Sequence, residues 1–103
     1  MAIVTVFRSR LPPGIADVYV VVANEMSRLA RSMDGFLEEK MFLAPDGERV
    51  TIVRFADMES QRTWAKHPDH LLAQRRGREE FYSWYSITVA EEEYSREFEN
   101  HEQ

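Results

Sequence analysis

Side chains that could do chemistry are concentrated between positions 64 and 85 of this sequence. Two of the three histidines, His67 and His70, lie in this stretch, and imidazole is the side chain that exchanges a proton near neutral pH. Aromatic, amide and cationic groups share the stretch with them: Trp64, Gln74, Arg78, Tyr82, Trp84 and Tyr85. This cluster is the first candidate for a functional site.

The two histidines have the i, i+3 spacing that can place two metal ligands on one helix face. Pro68 lies between them and interrupts that geometry, and no clear third ligand follows. The alternative is that His67 caps or hydrogen-bonds a helix junction and that His70 faces a pocket. We therefore predict no metal site.

Several other kinds of site are excluded by the sequence. The chain has no cysteine, which excludes a disulfide framework, a thiolate zinc site and a cysteine nucleophile. No serine nucleophile elbow, phosphate-binding loop or dinucleotide fingerprint is present. Glu38 and Glu39 are adjacent, but neighbours in a strand point to opposite faces, so this pair cannot share one proton across a site.

Charge and hydropathy limit the partners that the chain could have. The net charge of -5 argues against general nucleic-acid binding, which needs lysine and arginine to displace phosphate counterions. No apolar run approaches the roughly 20 residues of a membrane span. The N-terminus begins with a strand-like run and not with a basic region leading into an apolar signal core. We expect no nucleic-acid partner, no membrane contact and a cytoplasmic location.

The acidic residues are concentrated at the end of the chain. Residues 79–103 hold 8 acidic and 1 basic side chains, which suggests a domain over residues 1–95 and a solvated acidic tail over residues 96–103. Arg75, Arg76 and Arg78 form a basic group before it. These arginines could meet an anionic ligand or acidic side chains, including the tail of a second copy.

The first half of the chain shows three predicted elements. Residues 2–8 read as a strand that is apolar on both faces. Apolar residues then recur every three or four positions from Ile15 to Met33, which predicts an amphipathic helix. Asn24 lies on this helix, either facing solvent or supplying a pocket donor. Residues 36–43 form the next predicted strand, after Gly35.

The second half contains a hairpin, a broken helix and a last strand. A Pro-Asp-Gly turn joins residues 36–43 to a strand over residues 48–56. Asp57 can cap a second helix, and Pro68 suits the start of a short third helix over residues 69–79. The last predicted strand covers residues 81–89. Its alternation places Tyr82 and Trp84 on the face opposite to Tyr85.

This order of elements predicts an α+β fold of the ferredoxin-like βαββαβ type, with a four-stranded antiparallel sheet and the helices on one face. The strands nevertheless carry apolar residues on both faces, so the second face needs a cover. A chain of 103 residues is also short for enclosing a ligand pocket of about 300–1,000 Å³ by itself. Both observations predict a homodimer in which a second copy covers the sheet and completes a barrel.

Over about residues 3–95 the chain resembles the antibiotic-biosynthesis monooxygenase-like proteins of the dimeric α+β barrel superfamily. The resemblance rests on the order of elements and on several short motifs: Asp34-Gly35-Phe36, Asp46-Gly47-Glu48, Trp64-Ala65-Lys66-His67-Pro68-Asp69-His70, Gln74, Gly77-Arg78 and Phe81-Tyr82. It implies a pocket in each subunit between the sheet and the helices. In the oxygenase branch of the family, an aromatic quinol or polycyclic phenol reacts with dioxygen without a metal or flavin, so no cofactor is expected.

The resemblance also suggests roles for particular residues. Trp64 and Trp84 would stack on a flat substrate, and Tyr82 or Tyr85 would hydrogen-bond a phenolate. His67 or His70 would take a proton, and Arg78 would stabilise the anion. Asn24 and Gln74 are further candidates for contact with the substrate. We therefore expect a monooxygenase-like homodimer that acts on an aromatic small molecule.

Two alternative functions remain open on the same scaffold. The first is a non-catalytic module that binds a small molecule in the same pocket. The second is a haem-binding protein, because the haem-degrading branch of the family uses a tryptophan that Trp64 matches. That branch also uses an asparagine and a histidine, and this chain has Ser9 and Gln74 at those positions.

Overall fold

The computed structural model describes residues 1–100 of the chain. Within this range the chain forms four strands, three α-helices and a π-helical turn. In chain order they are β1 (Ile3–Arg10), α1 (Ala16–Ser32), β2 (Phe36–Leu43), β3 (Arg49–Phe55), α2 (Met58–Ala65), α3 (Pro68–Arg76), the π turn (Gly77–Phe81) and β4 (Trp84–Glu91). Residues 101–103, the end of the predicted acidic tail, lie outside the described residues.

The strands form one antiparallel sheet in the order β2-β3-β1-β4. The two central strands, β3 and β1, are neighbours in the sheet but not consecutive in the chain, as in ferredoxin-like folds. The predicted fold class is confirmed. Among the described residues, no helix is long and apolar enough to cross a membrane.

The sheet has two different faces because neighbouring residues of each strand point to opposite sides. One face packs under the helices, where Ala30 of α1 and Trp64 of α2 meet Val53 and Phe55 of β3. Phe55 has no solvent exposure at all. The other face, which we call the open face, carries no helix, and its large side chains include Val4, Val6, Phe42, Val50, Ile52 and Trp84.

A β-bulge at the start of β2 determines which of its residues face the helices. Phe36 pairs with Phe55, but the next pair is Glu38 with Arg54, so Leu37 is an extra residue. The bulge allows Phe36 and Glu39, three positions apart, to lie on the same face of the sheet. Glu38 and Glu39 are neighbours after the bulge and lie on opposite faces, as predicted.

The junctions of the second half of the chain are capped by side chains. The Asp57 carboxylate accepts a hydrogen bond from the Ser60 amide at 2.8 Å and begins α2, as predicted. His67 caps α3, since its Nδ1 accepts a hydrogen bond from the Asp69 amide at 3.1 Å. Pro68 follows at the first position of that helix. The helix-junction alternative for His67 is confirmed.

The last strand begins at Trp84 and not at residue 81, because the helical path continues beyond Arg76. Two ion pairs stabilise this extension, and each joins residues one helical turn apart: Arg75 with Glu79, and Arg76 with Glu80. A π turn then closes through a hydrogen bond from the Tyr82 amide to the Gly77 carbonyl at 2.8 Å. Tyr82 therefore does not alternate with Tyr85 across a strand, and the predicted separation of the two rings is wrong.

Candidate functional site

A cavity of about 340 Å³ lies between the helix-covered face of the sheet and the helices. Its floor is formed by alternate residues of the strands, including Thr5 and Phe7 of β1 and Val53 of β3. The volume is at the lower end of the range for ligand pockets. Ile87 and Val89, on the edge strand β4, line the cavity and are still 45% and 42% exposed, so the cavity is open to solvent.

His70 and Trp64 form a tilted ring pair at one wall of the cavity, with ring centroids 4.4 Å apart and an interplanar angle of 50°. His70 Nδ1 donates a hydrogen bond to the Ala65 carbonyl at 3.2 Å, because a carbonyl oxygen can only accept. Nε2 is then the nitrogen without a proton in the neutral ring. Burial of the imidazole lowers the pKa of His70 below its usual 6.5, so the ring is neutral at pH 7 and Nε2 can accept a proton.

Two buried donors on residues that line the cavity have no partner among the described residues. They are the indole Nε1 of Trp64 and the hydroxyl of Thr5, and both residues line the cavity. A buried polar group without a hydrogen bond costs about 1–3 kcal/mol. A ligand oxygen that accepts a hydrogen bond from either group would remove that cost.

A cluster of aromatic rings forms a second wall. The ring of Tyr82 is 5.3 Å from that of Phe7, 5.6 Å from that of Tyr19 and 5.7 Å from that of Tyr85. The Tyr82 hydroxyl donates a hydrogen bond to the Tyr19 hydroxyl at 3.4 Å. Burial, supported by this bond, raises the pKa of Tyr82 well above its usual value of 10, so Tyr82 is a neutral phenol at physiological pH.

Seven of the nine predicted site residues line the cavity: Asn24, Trp64, His70, Gln74, Arg78, Tyr82 and Tyr85. Asn24 and Arg78 are exposed, so they lie at its rim. The chain brings this set together from α1, α2, α3, the π turn and β4. Six of the eight residues in the predicted cluster between positions 64 and 85 are thus close in space as well as in sequence.

The other two predicted residues, His67 and Trp84, do not line the cavity. His67 is committed to the cap of α3. Trp84 lies on the open face, 41% exposed, with the Arg8 guanidinium 5.3 Å from its ring centroid. Trp84 is the first residue of β4 and Tyr85 the second, so the alternation that turns Tyr85 into the cavity turns Trp84 away from it.

The lining residues that the sequence analysis missed include Thr5, Tyr19, Glu39 and Gln61. Tyr19 is in the apolar stripe of α1, and Gln61 is one turn before Trp64 on α2, so helical spacing could have identified both. Thr5 and Glu39 are polar residues on the helix-covered face of the sheet, where strand alternation alone does not distinguish them from core positions. Among the residues that the structure describes, no group of three or more metal-binding side chains is arranged to hold an ion.

Known proteins are similar to this chain in sequence and in fold. No family model matches the chain. The protein YqjZ of Bacillus subtilis (strain 168) is 30% identical over 81 residues, which is 79% of this chain and 71% of YqjZ.

Solved structures share the whole fold at low sequence identity. Rv0793 of Mycobacterium tuberculosis superposes with a TM-score of 0.83 at 16% identity, covering 94% of this chain and 100% of that protein. SnoaB, a cofactor-independent oxygenase from Streptomyces nogalater, gives 0.77 at 14% identity, covering 91% and 95%. An antibiotic biosynthesis monooxygenase gives 0.75 at 11% identity, covering 87% and 97%. The chain therefore belongs to the same family as YqjZ and has the ferredoxin-like fold of the antibiotic-biosynthesis monooxygenase structures.

Proposed function

We propose that this chain binds an aromatic small molecule, a quinol or a polycyclic phenol, in the cavity and oxygenates it without a bound cofactor. The observation that carries the proposal is the juxtaposition of a neutral imidazole and an unpartnered indole N–H in a cavity lined by aromatic rings. The shared fold with the oxygenase SnoaB supports it.

The proposed reaction uses the groups of the cavity in separate roles. His70 Nε2 removes a proton from the substrate, which makes the ring system electron-rich enough to react with dioxygen. Trp64 Nε1 and the Thr5 hydroxyl donate hydrogen bonds to the oxygen anion that this deprotonation creates. The rings of Tyr82, Tyr85 and Phe7 pack against the substrate, and Arg78, Gln74 and Asn24 at or near the rim hold its polar groups.

For an anthrone, the atoms and electrons of the reaction with dioxygen balance without an added reductant. The ring methylene becomes a carbonyl, so the substrate loses two hydrogens and four electrons. One atom of dioxygen becomes the new carbonyl oxygen, and the other leaves as water. The quinone product absorbs at longer wavelength than the anthrone, which gives a direct assay.

The test is aerobic incubation with anthrone, with quinone absorbance and oxygen uptake followed together. We expect equimolar oxygen uptake and quinone formation above the buffer rate. His70→Gln should lower kcat by roughly a hundredfold, since removing a general base typically costs 10²–10⁴. His67→Asn, which keeps an acceptor for the α3 cap, is the matched control and should retain the activity. A rate equal to that of buffer across anthrones and naphthols would contradict oxygenation.

A non-catalytic binding module is the second candidate, and the unpartnered donors favour it equally because they explain binding without explaining turnover. Anthrone binding with no quinone formation would select this function. Haem binding is a third outcome of the same set of experiments. A haem titration with no saturable Soret shift would exclude it.

We also propose that the functional unit is a homodimer that packs two open faces together. Phe42 and Trp84 are 47% and 41% exposed on that face, and Val4, Val6 and Ile52 are only half-buried. Ion pairs lie among these apolar residues, with Arg8 bound to Glu48 at 2.7 Å and Arg54 bound to Glu92 at 2.8 Å. Large exposed apolar side chains gathered on one face are typical of a protein–protein interface. Sedimentation should give about twice the 12.1 kDa of one chain.

A further inference from the structure

We propose that Glu39 accepts a hydrogen bond from a second hydroxyl group on the ligand, so that the cavity selects dihydroxylated aromatic molecules over monohydroxylated ones. This inference rests on the proposed binding of an aromatic molecule in the cavity. It adds the substrate class that the cavity would prefer and the residue that determines the preference.

Glu39 is the only acidic side chain among the described residues that line the cavity. The bulge at Leu37 places it on the helix-covered face of β2, and its side chain is 18% exposed. Its neighbour Glu38 is on the open face, 56% exposed, with Arg54 at 3.5 Å. The two adjacent carboxylates therefore have different surroundings, and Glu39 alone can contact a ligand.

The polar partners of Glu39 leave one carboxylate oxygen available. Oε1 accepts a hydrogen bond from the Ser27 hydroxyl, and Arg31 Nη2 lies 3.9 Å from the same atom. Within residues 1–100 no hydrogen bond is made to Oε2. Because Arg31 already compensates the negative charge, the remaining need is for a hydrogen-bond donor and not for a cation. A phenolic hydroxyl meets that need.

Glu39 and the unpartnered hydroxyl of Thr5 lie at different parts of the cavity floor. Glu39 pairs with Val53, and Val53 pairs with Thr5, so the three residues form one row across the sheet. Neighbouring strands are about 4.8 Å apart, which puts the Glu39 and Thr5 backbones about 10 Å apart. The row thus offers an acceptor at one end and a donor at the other, with the apolar Val53 between them.

This arrangement complements a fused-ring molecule that carries an oxygen atom at each end. An oxygen at one end would accept a hydrogen bond from Thr5, and a hydroxyl at the other end would donate to Glu39. A ligand that lacks the second hydroxyl would displace water from Glu39 without replacing its hydrogen bonds. Sites built to bind a hydroxyl reject analogues without it for this reason.

The experiment compares the binding of 1,5-dihydroxynaphthalene and 1-naphthol by calorimetry under argon, where no oxygenation can occur. The protein should bind the diol about tenfold more tightly. Glu39→Leu, which keeps the size of the side chain and removes the acceptor, should weaken binding of the diol about tenfold and that of 1-naphthol by less than twofold. Glu39→Gln, which keeps an amide oxygen, should show a smaller loss in the same direction. Glu38→Leu is the matched control on the other face of β2 and should change neither affinity.

The outcomes separate this inference from the proposed function. Equal affinity of the protein for both naphthols, or an equal loss of both in the Glu39 variants, would overturn the inference while leaving aromatic binding intact. If neither naphthol binds, the inference and the proposed function are both overturned. Should Glu39→Leu fail to fold, Glu39→Gln decides the question by the same comparison.

Discussion

The ring of Tyr82 lies directly against the Cα of Gly77: a β-carbon on residue 77 would be 2.4 Å from Cε2 of Tyr82 and 2.8 Å from Cδ2. Gly77 has helical backbone angles, φ -56° and ψ -49°, so an alanine would fit the backbone without strain. The glycine is therefore required by the neighbouring ring and not by its own conformation. It positions Tyr82 in the cavity wall.

Gly77→Ala should lower the free energy of unfolding by about 1–2 kcal/mol, because the added methyl group overpacks a closed contact. It should also change the near-UV circular dichroism as the Tyr82 ring moves. In a Tyr82→Leu background the same substitution should cost less, since the ring that it meets is absent. An equal cost in both backgrounds would contradict the contact as the cause.

His70 should make stability depend on pH. Burial lowers its pKa in the folded chain below the usual 6.5, so the unfolded chain binds more protons as the pH falls below about 6.5. The free energy of unfolding should therefore decrease on acidification from pH 7 to pH 5. His70→Gln should remove part of this slope in urea denaturation, whereas His67→Asn should not. The same slope in the His70 variant as in the unaltered protein would show that another group causes it.

The open face should control assembly. Val6 lies in the middle of that face, paired with Ile52 on one side and Thr88 on the other. Val6→Arg would bury an unpaired charge in a dimer, which costs about 3–5 kcal/mol, and should weaken association more than a hundredfold. Leu72→Arg on the outer surface of α3, where the leucine is 61% exposed, is the control and should leave the sedimentation mass unchanged. A dimer of undiminished stability in Val6→Arg would locate the interface elsewhere.

The hydrogen bond between Tyr82 and Tyr19 should contribute little to stability. Its oxygen–oxygen distance of 3.4 Å is long for two hydroxyls, and the rings are held by their packing. A double-mutant cycle of Tyr19→Phe and Tyr82→Phe should give a coupling of less than about 1 kcal/mol. A larger coupling would mean that the pair is closer in solution than in this structure.

The fold could be predicted because periodicity and turn residues agree along most of the chain. The alternation of Ile52 and Val53 and the cap at Asp57 each follow from local rules, and the structure has both. The start of β4 could not be predicted in the same way. The aromatic run from Phe81 favours a strand by propensity, but burial of Phe81 against Tyr19 and the tight contact at Gly77 extend the helical path instead.

In the candidate site, the cluster between positions 64 and 85 could be predicted from the sequence. The strand residues of the cavity floor could not. His70 and Trp64 are close in sequence, so one helix junction brings them together. Thr5 and Glu39 come from strands that meet only through β3, and their positions depend on strand register. A single sequence does not show the register of β2, because the bulge at Leu37 depends on how β2 pairs with β3.

The bulge at Leu37 determines which residues of β2 related proteins could present to the cavity. If all residues were kept and the pairing were regular from Phe36 onward, the cavity wall would receive Glu38 and Lys40 in place of Glu39 and Met41. Since β2 is an edge strand, such a shift disturbs pairing with β3 alone. Related proteins could therefore exchange this row of ligand contacts by closing the bulge at unchanged chain length, whereas loss of the Leu37 codon would keep Glu39 and Met41 in the cavity wall.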